Sequence, residues 1–185
     1  MFPAVFLDRD GVLIENRSDY VRDWSDVSIF PNTISALSAI HLAGYKIVLV
    51  TNQSAVGRGL LSLQTADSIN QQLVETLQQN GGHVDGVYMC PHHPNDNCLC
   101  RKPKPGMLLQ AAQELSLDLS RSWMVGDAWS DLLAGQSAGL SHTVMVNTGR
   151  GAEQRVQPQP KELNGFHLVE HVLDAAQVIV SFKPA

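Results

Sequence analysis

Apolar residues in this chain come in short blocks separated by longer, mixed segments. Residues 3–7, 46–50, 86–90, 123–125 and 142–147 are compact apolar runs rich in Val, Ile, Met and aromatic side chains. Runs this short, without strict polar alternation, predict strands buried on both faces. Between them the apolar spacing lengthens to that of a helix. One helix is predicted over residues 32–43, with Asn32 as its cap and Gly44 as its stop. A second starts at Ser62, where Ala66, Ile69, Leu73 and Leu77 recur every three or four residues until Gly81 and Gly82. A third begins at Pro105, a favourable first helical residue, and carries Met107, Leu108, Ala111, Ala112 and Leu115. A fourth covers residues 130–138, ahead of Gly139. Residues 151–165 hold Pro158, Pro160 and Gly165 and read as a loop, and the last twenty residues are expected to add a short strand and a helix.

Strands alternating with helices imply parallel βαβ units with right-handed crossovers. The expected fold is α/β, an open three-layer Rossmann-like sandwich around a parallel sheet. At 185 residues the chain is expected to be a single domain spanning 1–185. Residues 12–30 are long for a strand-to-helix connection and are expected to form a short flap over the ligand edge of the sheet.

Composition narrows the function classes. The apolar fraction of 44% is ample for a core, and a net charge of −5 argues against a general nucleic-acid binder. The N-terminal residues lack a charged region followed by a long apolar stretch, and no apolar run is long enough to span a bilayer. A cytoplasmic protein, monomeric and without nucleic-acid or membrane partners, is the expectation.

In open α/β sheets ligands bind beyond the carboxyl ends of the strands. The first predicted strand ends in Asp8 and Asp10, the second in Thr51, Asn52, Gln53 and Ser54, and the fourth in Asp127, with Asp131 four residues on. Every polar cluster falls on one edge. Asp8 and Asp10 are two residues apart and can face one site. Three carboxylates with hard oxygen donors suit magnesium, and the set suits metal-assisted phosphoryl transfer. Asp8 would be the nucleophile and Asp10 the acid and base, while Thr51 and Lys102 would hold the phosphoryl oxygens. Arg101 would grip a substrate oxygen or a second phosphate.

The third strand ends in a different chemistry. Cys90, His92, Cys98 and Cys100 supply three thiolates and an imidazole, the ligand set of a closed tetrahedral zinc site. Alternation along an extended chain lets Cys90 and His92 converge and turns His93 away. Arg101 and Lys102 follow the last ligand directly, so a metal-pinned loop would fix two cations.

The segments Leu-Asp8-Arg9-Asp10-Gly-Val, Val-Thr51-Asn52-Gln53-Ser54, Cys90-Pro-His92-His93-Pro…Cys98-Leu-Cys100-Arg101-Lys102-Pro and Gly126-Asp127 with Asp131 resemble the haloacid dehalogenase superfamily of phosphatases, and within it the small zinc-containing branch. The resemblance runs from about residue 3 to 150. It implies an aspartyl phosphate on Asp8 and acid–base work by Asp10. It implies magnesium on the Asp8 carboxylate, the backbone carbonyl of Asp10, and Asp127. Thr51 and Lys102 would stabilise the transferring group, Arg101 and residues 52–54 would contact substrate, and zinc would be structural, with no large cap domain. The implied substrate is a small phosphorylated sugar, a heptose 1,7-bisphosphate losing its 7-phosphate. The branch alternative is histidinol phosphate, a cationic substrate that would want acids such as Glu15, Asp19 and Asp26 in the pocket. Position 128 is Ala where relatives often carry Lys or Ser, and residues 14–20 depart from the heptose pattern. Outside the enzymes, a phospho-acceptor domain would place its acceptor on a later strand, and a zinc-stapled binding module would leave the carboxylates without a role.

Overall fold

In the computed structural model, which describes residues 1–182, six parallel strands form one sheet in the order β3-β2-β1-β4-β5-β6. They are β1 (Ala4–Leu7), β2 (Lys46–Asn52), β3 (Gly86–Cys90), β4 (Trp123–Gly126), β5 (His142–Val146) and β6 (His167–Val169). The helices are α1 (Thr33–Leu42), α2 (Ser54–Gly57), α3 (Leu63–Gln79), α4 (Gly106–Glu114), α5 (Trp129–Ser137), α6 (Gly151–Arg155) and α7 (Val172–Ser181). This is the open, Rossmann-like α/β sheet that the alternation of short apolar runs and helical spacing predicts. Among the described residues no helix is long and apolar enough to cross a membrane.

Both faces of the sheet are covered, and strand periodicity assigns each side chain to one of them. Val5, Leu7, Ile47, Leu49 and Val125 point to the layer of α1, α3 and α7, where they meet Leu37, Ile40, Leu73 and Ile179. Their neighbours Ala4, Phe6, Val48, Val50 and Met124 point to the opposite layer and pack on Leu108 and Ala111 of α4 and Ala134 of α5. Burying a side chain of this size is worth about 1.5–3 kcal/mol relative to exposure. The unbroken apolar runs therefore follow from having no wet face.

Several boundaries differ from the sequence reading, each for a local reason. β2 runs on to Asn52 because its last residues pair with β3, Thr51 opposite Met89 and Asn52 opposite Cys90. Asn32 precedes α1 but its side chain caps nothing, lying instead 3.5 Å from His171. Pro105 is the cap residue of α4 rather than its first helical residue. Ser62 does cap α3, accepting the Thr65 N–H at 3.0 Å. The short helix α6 opens the segment read as a loop. Residues 12–30 are only partly a flap: Val12, Leu13 and Ile14 are fully buried in the core, and Asn16, Arg17, Ser18, Tyr20 and Val21 line the cleft above the sheet.

Candidate active site and metal centre

A cleft of about 620 Å³ lies over the carboxyl ends of β1, β2 and β4. Its lining includes Asp8, Asp10, Asn52, Gln53, Ser54, Arg101, Lys102 and Asp131, with Arg17 from the flap and Arg150 and Glu153 from the turn after β5 and α6. Of the polar strand ends picked out in the sequence, Asp8, Asp10, Asn52, Gln53 and Ser54 line it, while Thr51 and Asp127 are buried and outside its lining.

Asp8 follows β1, its N–H donating to Val125 of β4 at 3.0 Å. Its side chain is nearly buried, and Oδ1 accepts the Arg9 N–H at 2.7 Å. Lys102 Nζ lies 2.9 Å from the same oxygen and 2.8 Å from Asp131 Oδ1, and donates to the Val50 carbonyl at 2.7 Å. Burial opposes a charge on Lys102, but Asp131 and Asp8 outweigh it and hold the pKa above the ordinary lysine value. Burial pushes Asp8 up from 3.8 to about 6; Lys102 offsets part of this, while Asp131 and Asp10 reinforce it.

Lys102 is aimed by two devices. Its backbone is clamped by Asn52, whose Oδ1 accepts the Lys102 N–H at 3.1 Å and whose Nδ2 donates to the Lys102 carbonyl at 3.2 Å. Asn52 lines the cleft, as the resemblance implies, while both of its amide groups engage the Lys102 backbone. The second device is the cysteine loop. Sγ atoms of Cys90, Cys98 and Cys100 lie 3.2–3.6 Å apart, and His92 Nδ1 is 3.2 Å from Cys100 and 3.6 Å from Cys90. Tetrahedral zinc with Zn–S near 2.3 Å needs sulfur–sulfur edges of about 3.7 Å, so the four donors fit that ion with slight expansion. Burial and the neighbouring Cys100 push the Cys90 thiol up to about 12, a strain a bound cation would reverse. His93 turns away, its Nδ1 accepting the Asn95 N–H at 3.2 Å. The loop backbone sits directly on α2, where a Cβ on Gly57 would lie 2.1 Å from the His93 nitrogen.

Asp8, Asp127 and Asp131 bring carboxylate oxygens within 4.8 Å of one another, all buried. Asp127 accepts the Arg150 N–H at 2.8 Å and pairs with its guanidinium at 3.1 Å. Burial and the nearby Asp8 raise the Asp127 pKa even against that arginine. Three carboxylates therefore face two cations, Lys102 and Arg150, and the cluster has the charge and the hard donors that a divalent cation requires. Two glycines make room for Asp127: a Cβ on Gly11 or Gly149 would lie 2.1 or 2.4 Å from Oδ2. Asp131 serves Lys102 and accepts the Ala128 N–H at 3.0 Å, closing the start of α5.

Asp10 shares the cleft, but its carboxylate is turned onto Arg9 at 3.0 Å and accepts from Gln53 at 2.8 Å, with Thr51 Oγ1 at 3.5 Å. Gln53 also donates to Thr51 at 2.8 Å. Sequence reasoning gave no role to Arg9, Arg17, Asn70 or Arg150. For Arg150 a signal was available, a cation after Thr-Gly at the end of the fifth predicted strand; Asn70 gave none, being one polar residue on an amphipathic helix.

The HAD-hydrolase-like family model matches residues 99–175. A D-glycero-beta-D-manno-heptose-1,7-bisphosphate 7-phosphatase from Pasteurella multocida is 38% identical over 99% of this chain and 100% of its own length. The corresponding Vibrio cholerae protein is 41% identical over 80% of this chain and 83% of its own. A solved D,D-heptose 1,7-bisphosphate phosphatase from B. bronchiseptica, complexed with magnesium and phosphate, superposes with a TM-score of 0.89 at 34% identity, covering 97% of this chain and 99% of that one. Relatives of this extent, together with the shared fold, place the chain in the haloacid dehalogenase superfamily of phosphatases, in the branch of the heptose bisphosphate phosphatases.

Proposed function

We propose that this phosphatase removes the 7-phosphate of D-glycero-D-manno-heptose 1,7-bisphosphate by way of an aspartyl phosphate on Asp8. The observation that carries the chemistry is the buried Asp8–Lys102–Asp131 arrangement at the floor of an open, cation-rimmed cleft. A carboxylate held beside a fixed ammonium is placed to attack phosphorus while the ammonium takes up charge on the phosphoryl oxygens.

In the first step an Asp8 oxygen bonds to phosphorus, the bond to the sugar oxygen breaks, and Asp10 gives that oxygen a proton. In the second, Asp10 takes a proton from water, the water oxygen bonds to phosphorus, and the Asp8–phosphorus bond breaks. Thr51 offers a hydroxyl to the phosphoryl group, and Gln53 and Ser54 line the wall beside it. Magnesium would be held by Asp8, Asp127 and the Asp10 carbonyl, and when bound supplies the positive charge that lets a dianionic phosphate sit among carboxylates. Zinc on Cys90, His92, Cys98 and Cys100 would be structural: with four protein donors, no position is open for chemistry. Its place is upstream of Arg101 and Lys102, which it would anchor.

Substrate choice rests on the rim. Arg101 lines the cleft together with Arg17, which also pairs with Asp19 and Asp26, and Arg150, which also pairs with Asp127; outside the carboxylates at its floor the acid there is Glu153. Asp19 and Asp26, which could have served a cationic substrate, are engaged with Arg17 and Arg22, and neither they nor Glu15 line the cleft. A bisphosphate suits this surface better than a cationic amino alcohol phosphate. The test is phosphate release from heptose 1,7-bisphosphate and histidinol phosphate, side by side with magnesium. The expected result is a kcat/KM at least about 100-fold higher for the heptose, a difference of ~2.7 kcal/mol. Equal values, or a preference for histidinol phosphate, would overturn the substrate assignment.

A further inference from the structure

Arg9 is a buried charge that the reaction above leaves unused. It lies between Asp8 and Asp10 in sequence, and its side chain is 2% exposed beneath the cleft. Its guanidinium is nonetheless fully engaged. One edge forks onto Asp10, Nε to Oδ2 and Nη2 to Oδ1, both at 3.0 Å. The remaining nitrogen, Nη1, donates to Asn70 Oδ1 at 2.8 Å. Asn70 is itself buried in α3, and its Nδ2 faces Met89 Sδ of β3 at 3.5 Å.

We propose that Arg9 is a positioning residue for Asp10, and that Asn70 holds Arg9 at the angle that fork needs. Burying a guanidinium costs several kcal/mol, and an apolar side chain would fill the same space at least as favourably. What the arginine adds is orientation. Two parallel hydrogen bonds fix the plane of a carboxylate, which a single contact does not. Without Arg9, Asp10 would keep the Gln53 bond and a 3.5 Å approach to Thr51, neither of which sets that plane. An acid that must reach a leaving oxygen in one step and a water in the next depends on that orientation.

The inference rests on Asp10 being the acid–base group, and the leaving group separates the two. An alkoxide needs a proton to depart, whereas p-nitrophenolate does not. Rapid-quench single turnovers on the magnesium-loaded enzyme compare the heptose bisphosphate with p-nitrophenyl phosphate, for wild type, Asp10→Asn, Arg9→Met, Arg9→Lys and Asn70→Leu. Arg9→Met is expected to slow phosphoryl transfer from the sugar about 100-fold while the nitrophenolate burst stays within about two-fold of wild type. Arg9→Lys keeps the charge but not the fork and is expected to fall between. Asn70→Leu is expected to show the same selectivity at about 10-fold, and serves as the test if Arg9→Met does not fold. If Asp10→Asn slows both substrates alike, the acid–base reading fails and takes the inference with it. If Asp10→Asn is selective but the Arg9 and Asn70 variants are not, the positioning role alone is overturned.

Discussion

Asp8→Asn tests whether the carboxylate cluster is strained before it meets a ligand. Asp8 is 4% exposed, and its pKa is pushed from 3.8 to about 6, by burial first, with Lys102 opposing and Asp131 and Asp10 adding. An acid whose pKa is raised on folding favours the folded state most when protonated. That contribution is complete below pH 3.8 and is lost as the pH rises through about 6. A shift of about two units at ~1.4 kcal/mol each puts the loss at about 3 kcal/mol above pH 7. Asparagine is a neutral near-isostere and does not incur it. In a chain of 185 residues 1 kcal/mol moves the Tm by about 2–4 °C, so the effect is about 6–12 °C.

The assay is unfolding of wild type and Asp8→Asn, both stripped of metal with EDTA, at steps from pH 4 to 8. The quantity read is the difference between the two proteins, in which other titrating groups largely cancel. The variant is expected to gain on wild type across pH 4–6 and to hold that gain above pH 7. Magnesium should then raise the Tm of wild type more than that of the variant, because Asp8 is a proposed ligand. A difference that stays flat with pH would refute the electrostatic reasoning, whatever the variant does to turnover.

Lys102→Ala should lower kcat about 100- to 1,000-fold, since the ammonium is assigned to the transferring group, while Arg101→Ala should act mainly on KM; steady-state kinetics with equal kcat losses would contradict that division. Stripping zinc should loosen residues 90–104 and cut activity while the sheet stays folded, read by hydrogen exchange and far-UV circular dichroism; normal turnover in verified zinc-free protein would sink the anchoring role. Gly149→Ala should destabilise by about 2 kcal/mol or more and weaken magnesium binding by calorimetry. Gly149 has φ +60°, and its Cβ would lie 2.4 Å from both Gly11 Cα and Asp127 Oδ2; unchanged metal affinity would show that the turn gives way without moving Asp127.

The sheet was legible because burial on both faces leaves a mark that needs no partner to be read. Ala4–Leu7 and Lys46–Val50 are apolar at every position bar the first lysine, and both lie between helices in the structure. What stayed hidden were elements too short to hold a period. α2, four residues from Ser54, starts two residues after β2 ends, and α6 is five residues in a segment marked by prolines. Both are stabilised from outside: Gln53 N–H bonds to the Cys90 carbonyl at 2.8 Å, and Gln154 Oε1 accepts the Trp129 N–H at 3.2 Å. Contacts of that kind join residues far apart in sequence, and periodicity does not report them.

The same division runs through the site. Strand ends tell which residues share an edge, and Asp8, Thr51 and Asp127 stand there, with Lys102 reaching Asp8 at 2.9 Å from the loop after β3. They did not tell which group each side chain would face. The resemblance puts Asn52 in the pocket and it does line the cleft, but only the fold shows that it also clamps Lys102, fifty positions away, at 3.1 Å. Asp10 was read as sharing a face with Asp8, and it does share the cleft, but the fork it accepts comes from the residue between them. The middle residue of this Asp-x-Asp pair, invisible to an argument about alternating faces, is the one that holds the second acid by two hydrogen bonds. In this chain that residue is an arginine held by a helical residue 61 positions away, so a change at Asn70, outside every strand end, is expected to reach the proton transfer.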